Sequence, residues 1–98
     1  MRKIVNITDK LSFEENPKIQ IKDKVFEVNA DASTVLEIMG DFKDKSEVDA
    51  ALCAYNKLFS EKDRAEIAKM KLPFKDLQVI IGTAVSLASG GEEGAGEA

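Results

Sequence analysis

The sequence predicts an α+β domain, with a small antiparallel β-hairpin or sheet at the N-terminus followed by about four α-helices. Three observations predict it. Apolar and polar residues alternate with period two around residues 18–28, as in half-buried strands. From Asp31 onward the apolar residues recur at spacings of three and four, as on one face of a helix. Ser46, Ser60 and Pro73 stand where helix-start chemistry is needed between those stretches.

The elements follow in order. Lys3 to Thr8 holds Ile4, Val5 and Ile7 and reads as a short edge strand, although Leu11 and Phe13 beyond it keep no single period. Glu14-Glu15-Asn16-Pro17 is a turn, because Pro17 lacks an N–H and pushes Asn16 into extended geometry. Lys18-Ile19-Gln20-Ile21-Lys22 and Val25-Phe26-Glu27-Val28-Asn29 form the hairpin. A tight loop at Asp23-Lys24 pairs Lys22 with Val25, Ile21 with Phe26, Gln20 with Glu27 and Ile19 with Val28, which puts the apolar side chains on one face; the loop lacks Asn-Gly or Asp-Gly, so a longer turn is the alternative. Two strands alone are marginal in water, so a third strand or a packed helix must cover that face.

Asp31 caps a helix over 32–42 whose apolar side is Val35, Leu36, Ile38, Met39 and Phe42, with Gly40 weakening its end. Ser46, with Asp49 three residues on, starts a second helix over 47–59. Its expected inner face is Val48, Ala51, Leu52, Tyr55, Leu58 and Phe59. Ser60 and Asp63 repeat the signal for a weakly apolar third helix over 61–71, bearing Ala65, Ile67, Ala68 and Met70. Pro73 opens a fourth helix over 74–89 with the stripe Leu77, Ile80, Ile81, Ala84, Val85 and Ala88, closed by Gly90-Gly91. The expected organisation is one globular domain over 1–89 and a flexible acidic Gly/Glu tail over 90–98.

The chain has 98 residues, 14 Lys+Arg and 18 Asp+Glu, for a net charge of -4. Glu92, Glu93 and Glu97 put three of those acids in the tail, which leaves residues 1–89 with 14 bases against 15 acids. No basic stripe is present to neutralise phosphates, so neither nucleic acid nor an anionic membrane is an expected partner. There is no apolar run long enough for a membrane span and no signal-peptide pattern at the N-terminus, which together point to the cytoplasm. The single cysteine, Cys53, suits a reducing compartment and reads as a buried small hydrophobe.

Histidine is absent, so no Ser-His-Asp or Cys-His arrangement can be built, and the commonest metal ligand is missing. Asp41, Asp44, Glu47 and Asp49 fail the calcium-loop pattern. Counted from Asp41, position six is Ser46 where glycine is needed, and position twelve is Leu52 where glutamate is needed. The glycines at 90, 91, 94 and 96 follow a helix, whereas a phosphate loop precedes one. The expectation is a protein with no enzymatic activity, no cofactor and no metal.

The fourth helix carries more apolar surface than one face needs, because Val79 and Leu87 lie off its main stripe. Leu77, Val79, Ile80 and Leu87 are therefore the candidate protein-interaction surface, for a partner protein or for self-association; core packing competes for the stripe, so Val79 and Leu87 are the better contact positions.

A hairpin of the type Ile19-Gln20-Ile21 then Val25-Phe26-Glu27-Val28, several short helices, and a hydrophobic last helix from Leu77 to Leu87 running into Gly90-Gly91-Glu92 form one layout. It resembles the tail assembly chaperones of long-tailed bacteriophages and prophages of Gram-positive bacteria. The resemblance covers roughly residues 17–92 and is a pattern of elements without a fixed signature. It implies binding to the tape measure protein and the tail tube protein during tail morphogenesis, and absence from the finished particle. It further implies that this chain is the short form of a product that also exists as a longer frameshifted one. Two other readings compete: a structural tail component retained in the virion, and a small non-enzymatic adaptor. Purified particles separate the first from a chaperone, and the neighbouring genes separate the second.

Overall fold

Local chemistry sets the helix starts. In the computed structural model, which describes residues 3–90, each of the first three helices is opened by the side chain expected from the sequence. Asp31 accepts the Thr34 amide at 3.3 Å and opens α1, Ala32–Asp44. Ser46 accepts the Asp49 amide at 3.1 Å and opens α2, Glu47–Leu58. Ser60 accepts the Asp63 amide at 3.1 Å and opens α3, Glu61–Lys69. Each bond satisfies a backbone donor that has no partner inside the helix. Pro73, which has no N–H to satisfy, stands directly before α4, Phe74–Ala88. Gly90 follows with φ 95°, a left-handed geometry that glycine adopts at little cost. The expected flexible tail lies beyond it, outside the described residues.

The sheet is a two-stranded antiparallel hairpin of β1, Lys18–Ile21, and β2, Lys24–Glu27. The protein is thus the α+β fold expected, with an N-terminal hairpin and four helices after it. The pairing differs from the expected one. Ile21 pairs with Lys24, Gln20 with Val25, Ile19 with Phe26 and Lys18 with Glu27, so the loop is Lys22-Asp23. Lys22 takes a positive φ of 57° to make it. The loop has slid by one residue and the pairing by two. A shift of two preserves the side-chain period, so the same apolar face still points inward.

No strand forms at Lys3 to Thr8. That stretch is irregular and leads into a single 3-10 turn, Thr8–Lys10, which Asn6 closes by accepting the Thr8 amide at 2.9 Å and the Thr8 hydroxyl at 2.6 Å. The hairpin is stabilised instead by helices over its inner face. Phe26 and Val28 join Ile38, Ala54, Leu58, Phe59, Ile67, Ile80, Ile81 and Ala84 in one core. Ile19, Ile21, Leu77 and Val85 pack against its margin. At the edges of that core the Asn29 amide donates to the Leu58 carbonyl at 2.8 Å, and Lys24 pairs with Glu66 of α3 at 3.0 Å.

Helix α1 runs two residues beyond the expected end, through Gly40 to Asp44. Asp41 fastens it to α2: Lys57 reaches the Asp41 carboxylate at 2.9 Å and Glu37 at 3.3 Å. The hydrogen bond from Lys57 holds the Asp41 carboxyl below its ordinary value of 3.8, and the same bond raises Lys57 above 10.5. Cys53 is half-buried beside this pair, not fully buried as expected.

The main departure concerns which side of α2 faces in. The buried residues are Ala50, Ala54 and Leu58, while Val48 is 70% and Leu52 56% exposed. At 100° per residue, the inner face is turned by about 100°, one residue, from the expected one. Small side chains at Ala50 and Ala54 let the helix axis approach its neighbours closely. The turn also brings Lys57 within reach of α1.

Candidate protein-docking surface

Rotating α2 leaves apolar side chains outside. Val48 and Ala51 of α2 face Phe74, Ile81, Gly82 and Val85 of α4, with Phe42 at the end of α1 closing the third side. These residues line an apolar groove of about 340 Å³, and Glu47 and Gln78 supply its polar rim. Gly82 leaves room in it, since a Cβ built there meets no atom within 4 Å. Val48 and Phe74 are each about two-thirds exposed, so the groove is open to a visiting side chain.

The outer side of α1 adds a second apolar area. Turning away from buried Ile38 around the helix, one meets Phe42, then Met39, then Leu36, and their exposures rise in that order as 44%, 54% and 68%. Leu36 and Met39 border a shallow depression completed by Val35, Ala30 and Ala88. Contiguous exposed apolar surface of this kind marks binding sites more often than isolated exposed residues do.

The residues expected to form the interaction surface divide. Val79 is 63% exposed and free to meet a partner. Leu87 is half-buried. Ile80 belongs to the core, and Leu77 packs against it, so these two stabilise the fold. The groove residues Val48 and Phe74 were missed as surface. Periodicity places Val48 on the inner face of α2, and Phe74 reads from the sequence only as a helix start. One signal in the sequence was available: Ala50 and Ala54 offer an alternative small-residue face four residues apart on the same helix.

A cleft of about 630 Å³ lies between the hairpin and the α2–α3 connection and is lined mainly by polar groups, including Asn16, Glu27, Asn29 and Arg64. Those groups are engaged with one another or with the backbone. Asn16 donates to Glu27 at 2.8 Å, and Arg64 donates to the Phe59 carbonyl at 3.2 Å and to Asn56 at 3.3 Å. The cleft reads as structural. Among the described residues no cluster of three or more potential metal ligands occurs. No helix among them is long and apolar enough to cross a membrane.

No known protein family, curated protein or solved structure matches the chain.

Proposed function

We infer that the protein is a non-enzymatic, protein-binding module that acts in the bacterial cytoplasm as a phage or prophage tail assembly chaperone. It binds the tape measure protein and the tail tube protein before they assemble. The observation that carries this reading is the open apolar groove between α2 and α4, with a second exposed apolar area on the outer side of α1. A groove flanked by helices receives the apolar face of an amphipathic helix, with large side chains entering at helical spacing. A long helical tape measure offers many such segments. Holding them needs repeated modest contacts and no catalytic group. The element order on which the resemblance rests, a hairpin and then four helices, is the order found in the fold.

The test is co-purification. The full chain is co-expressed with segments of the tape measure protein and, separately, with the tail tube protein from the same gene neighbourhood. Val48→Asp and Phe74→Asp place charge in the groove at exposed positions. They are expected to leave the circular dichroism spectrum unchanged and to abolish co-purification. Full-strength binding by both folded variants would place the contact elsewhere. Finding no binding to either tail protein, or finding the protein in purified particles, would overturn the chaperone reading.

A further inference from the structure

The N-terminal arm, Lys3 to Phe13, has no place in its own fold. Ile4, Val5, Ile7, Leu11 and Phe13 are all about half exposed or more, and none belongs to the core or its margin. An apolar arm and an open apolar groove on one chain are complementary surfaces that the single chain leaves apart. We propose that the arm of one copy docks in the α1–α2–α4 groove of a second copy, and that the exchange is reciprocal.

Area supports the match. The five exposures amount to about three fully exposed large side chains, roughly 300 Å² of apolar surface at about 100 Å² each. Full contact would remove a like area from the surface that receives the arm. A two-fold pair doubles both, giving about 1,200 Å² in total, the lower end of the range for specific interfaces. Charge supports it as well. Residues 2–10 carry Arg2, Lys3 and Lys10 against Asp9 alone, whereas in the 41–49 segment bordering the groove Asp41 is held by Lys57, and Asp44, Glu47 and Asp49 stand against Lys43 and Lys45. The outer edge of β1 is another place an extended arm could add. Lys18 and Lys22 flank that edge and would repel a basic arm. The arm also keeps its Asn6–Thr8 turn when it docks in the groove, whereas joining the sheet would break it.

The arm and a tail protein would occupy the same groove in turn, so the docking is tested without any partner. Sedimentation equilibrium of the full chain is expected to give the mass of two chains, falling to one on dilution. The double variant Val5→Asp/Phe13→Asp alters only exposed arm positions and is expected to give the mass of one chain at every concentration, and to melt at the temperature of the dilute, single-chain wild type. Val48→Asp, on the groove side, is expected to do the same. A wild-type chain that stays single at high concentration overturns the proposal. So does a two-chain species that the arm variant leaves intact, or one that Val79→Asp breaks while the arm variant does not.

Discussion

The orientation of α2 decides which surface is available for binding, and a pair of identical substitutions on that helix tests it. Leu52→Ala and Leu58→Ala delete the same atoms six positions apart. Leu58 is fully buried in the core, so its truncation removes transfer free energy and leaves a cavity. The expected loss is about 3 kcal/mol, within the 2–5 kcal/mol typical of such sites. Leu52 is 56% exposed, so under half of its side chain is out of water. Its transfer contribution is about 1 kcal/mol, and the higher helix propensity of alanine offsets a few tenths of that. Urea unfolding followed at 222 nm measures both. With an m-value of about 1 kcal/mol per molar, the midpoint falls by about 3 M for Leu58→Ala and by less than 1 M for Leu52→Ala. Comparable losses would mean that α2 presents Val48 and Leu52 inward, as hydrophobic periodicity alone suggests. The docking groove would then not exist in this form.

Three further outcomes are expected. Ser46→Ala and Ser60→Ala each remove a cap bond and should cost about 1 kcal/mol in the same urea assay. Gly40→Ala should raise stability by about 1 kcal/mol, because Gly40 lies inside α1 and an added Cβ meets nothing within 4 Å. Stability should be flat between about pH 5 and 8, because the chain has no histidine. On the acid side, hydrogen bonds from Lys57 and Lys24 lower Asp41 and Glu66 from 3.8 and 4.5. Their contributions are complete above those values and are lost as pH falls through the lower folded-state values. On the alkaline side Lys57 is raised from 10.5 by its bond to Asp41, and Tyr55 from 10.0 by burial. These contributions are complete below pH 10 and are lost as pH rises through the higher folded-state values. Melting temperature against pH checks all four groups, and a step between pH 6 and 7 would contradict the assignment.

Features carried by short sequence windows were legible. Asp31, Ser46 and Ser60 act on amides three residues away, so the residue and its partner are read together, and all three caps occur where expected. The inward face of the hairpin was legible for the same reason, because period two fixes a face. Its loop was not, since Lys22-Asp23 and Asp23-Lys24 preserve that face equally well and neither holds the glycine or asparagine that favours one turn. The orientation of α2 depends on long-range facts: how closely Ala50 and Ala54 let helices approach, and whether Lys57 finds Asp41. Neither is visible in the spacing of apolar residues. The arm reads as a strand because Ile4, Val5 and Ile7 satisfy strand propensity, but a strand also needs an edge to pair with. The groove inherits the α2 error, so the candidate site was legible only in part, through Val79 and the surplus of apolar residues on α4.

That surplus extends over the whole molecule and bears on what the fold is for. Among the described residues thirteen large hydrophobic side chains are exposed, against eight buried ones once the three buried alanines are set aside. A small chain keeps much of its surface on folding, so some exposed apolar atoms are ordinary. Their placement is less ordinary. Five of the thirteen lie on the arm and three, Phe42, Val48 and Phe74, border one groove. On α2, Ala50 and Ala54 face inward while the larger Val48 and Leu52 stay outside. Keeping the larger side chains outside makes physical sense when burial is completed by another chain. That is the condition shared by an arm-exchanged pair and by a chaperone holding an unassembled partner.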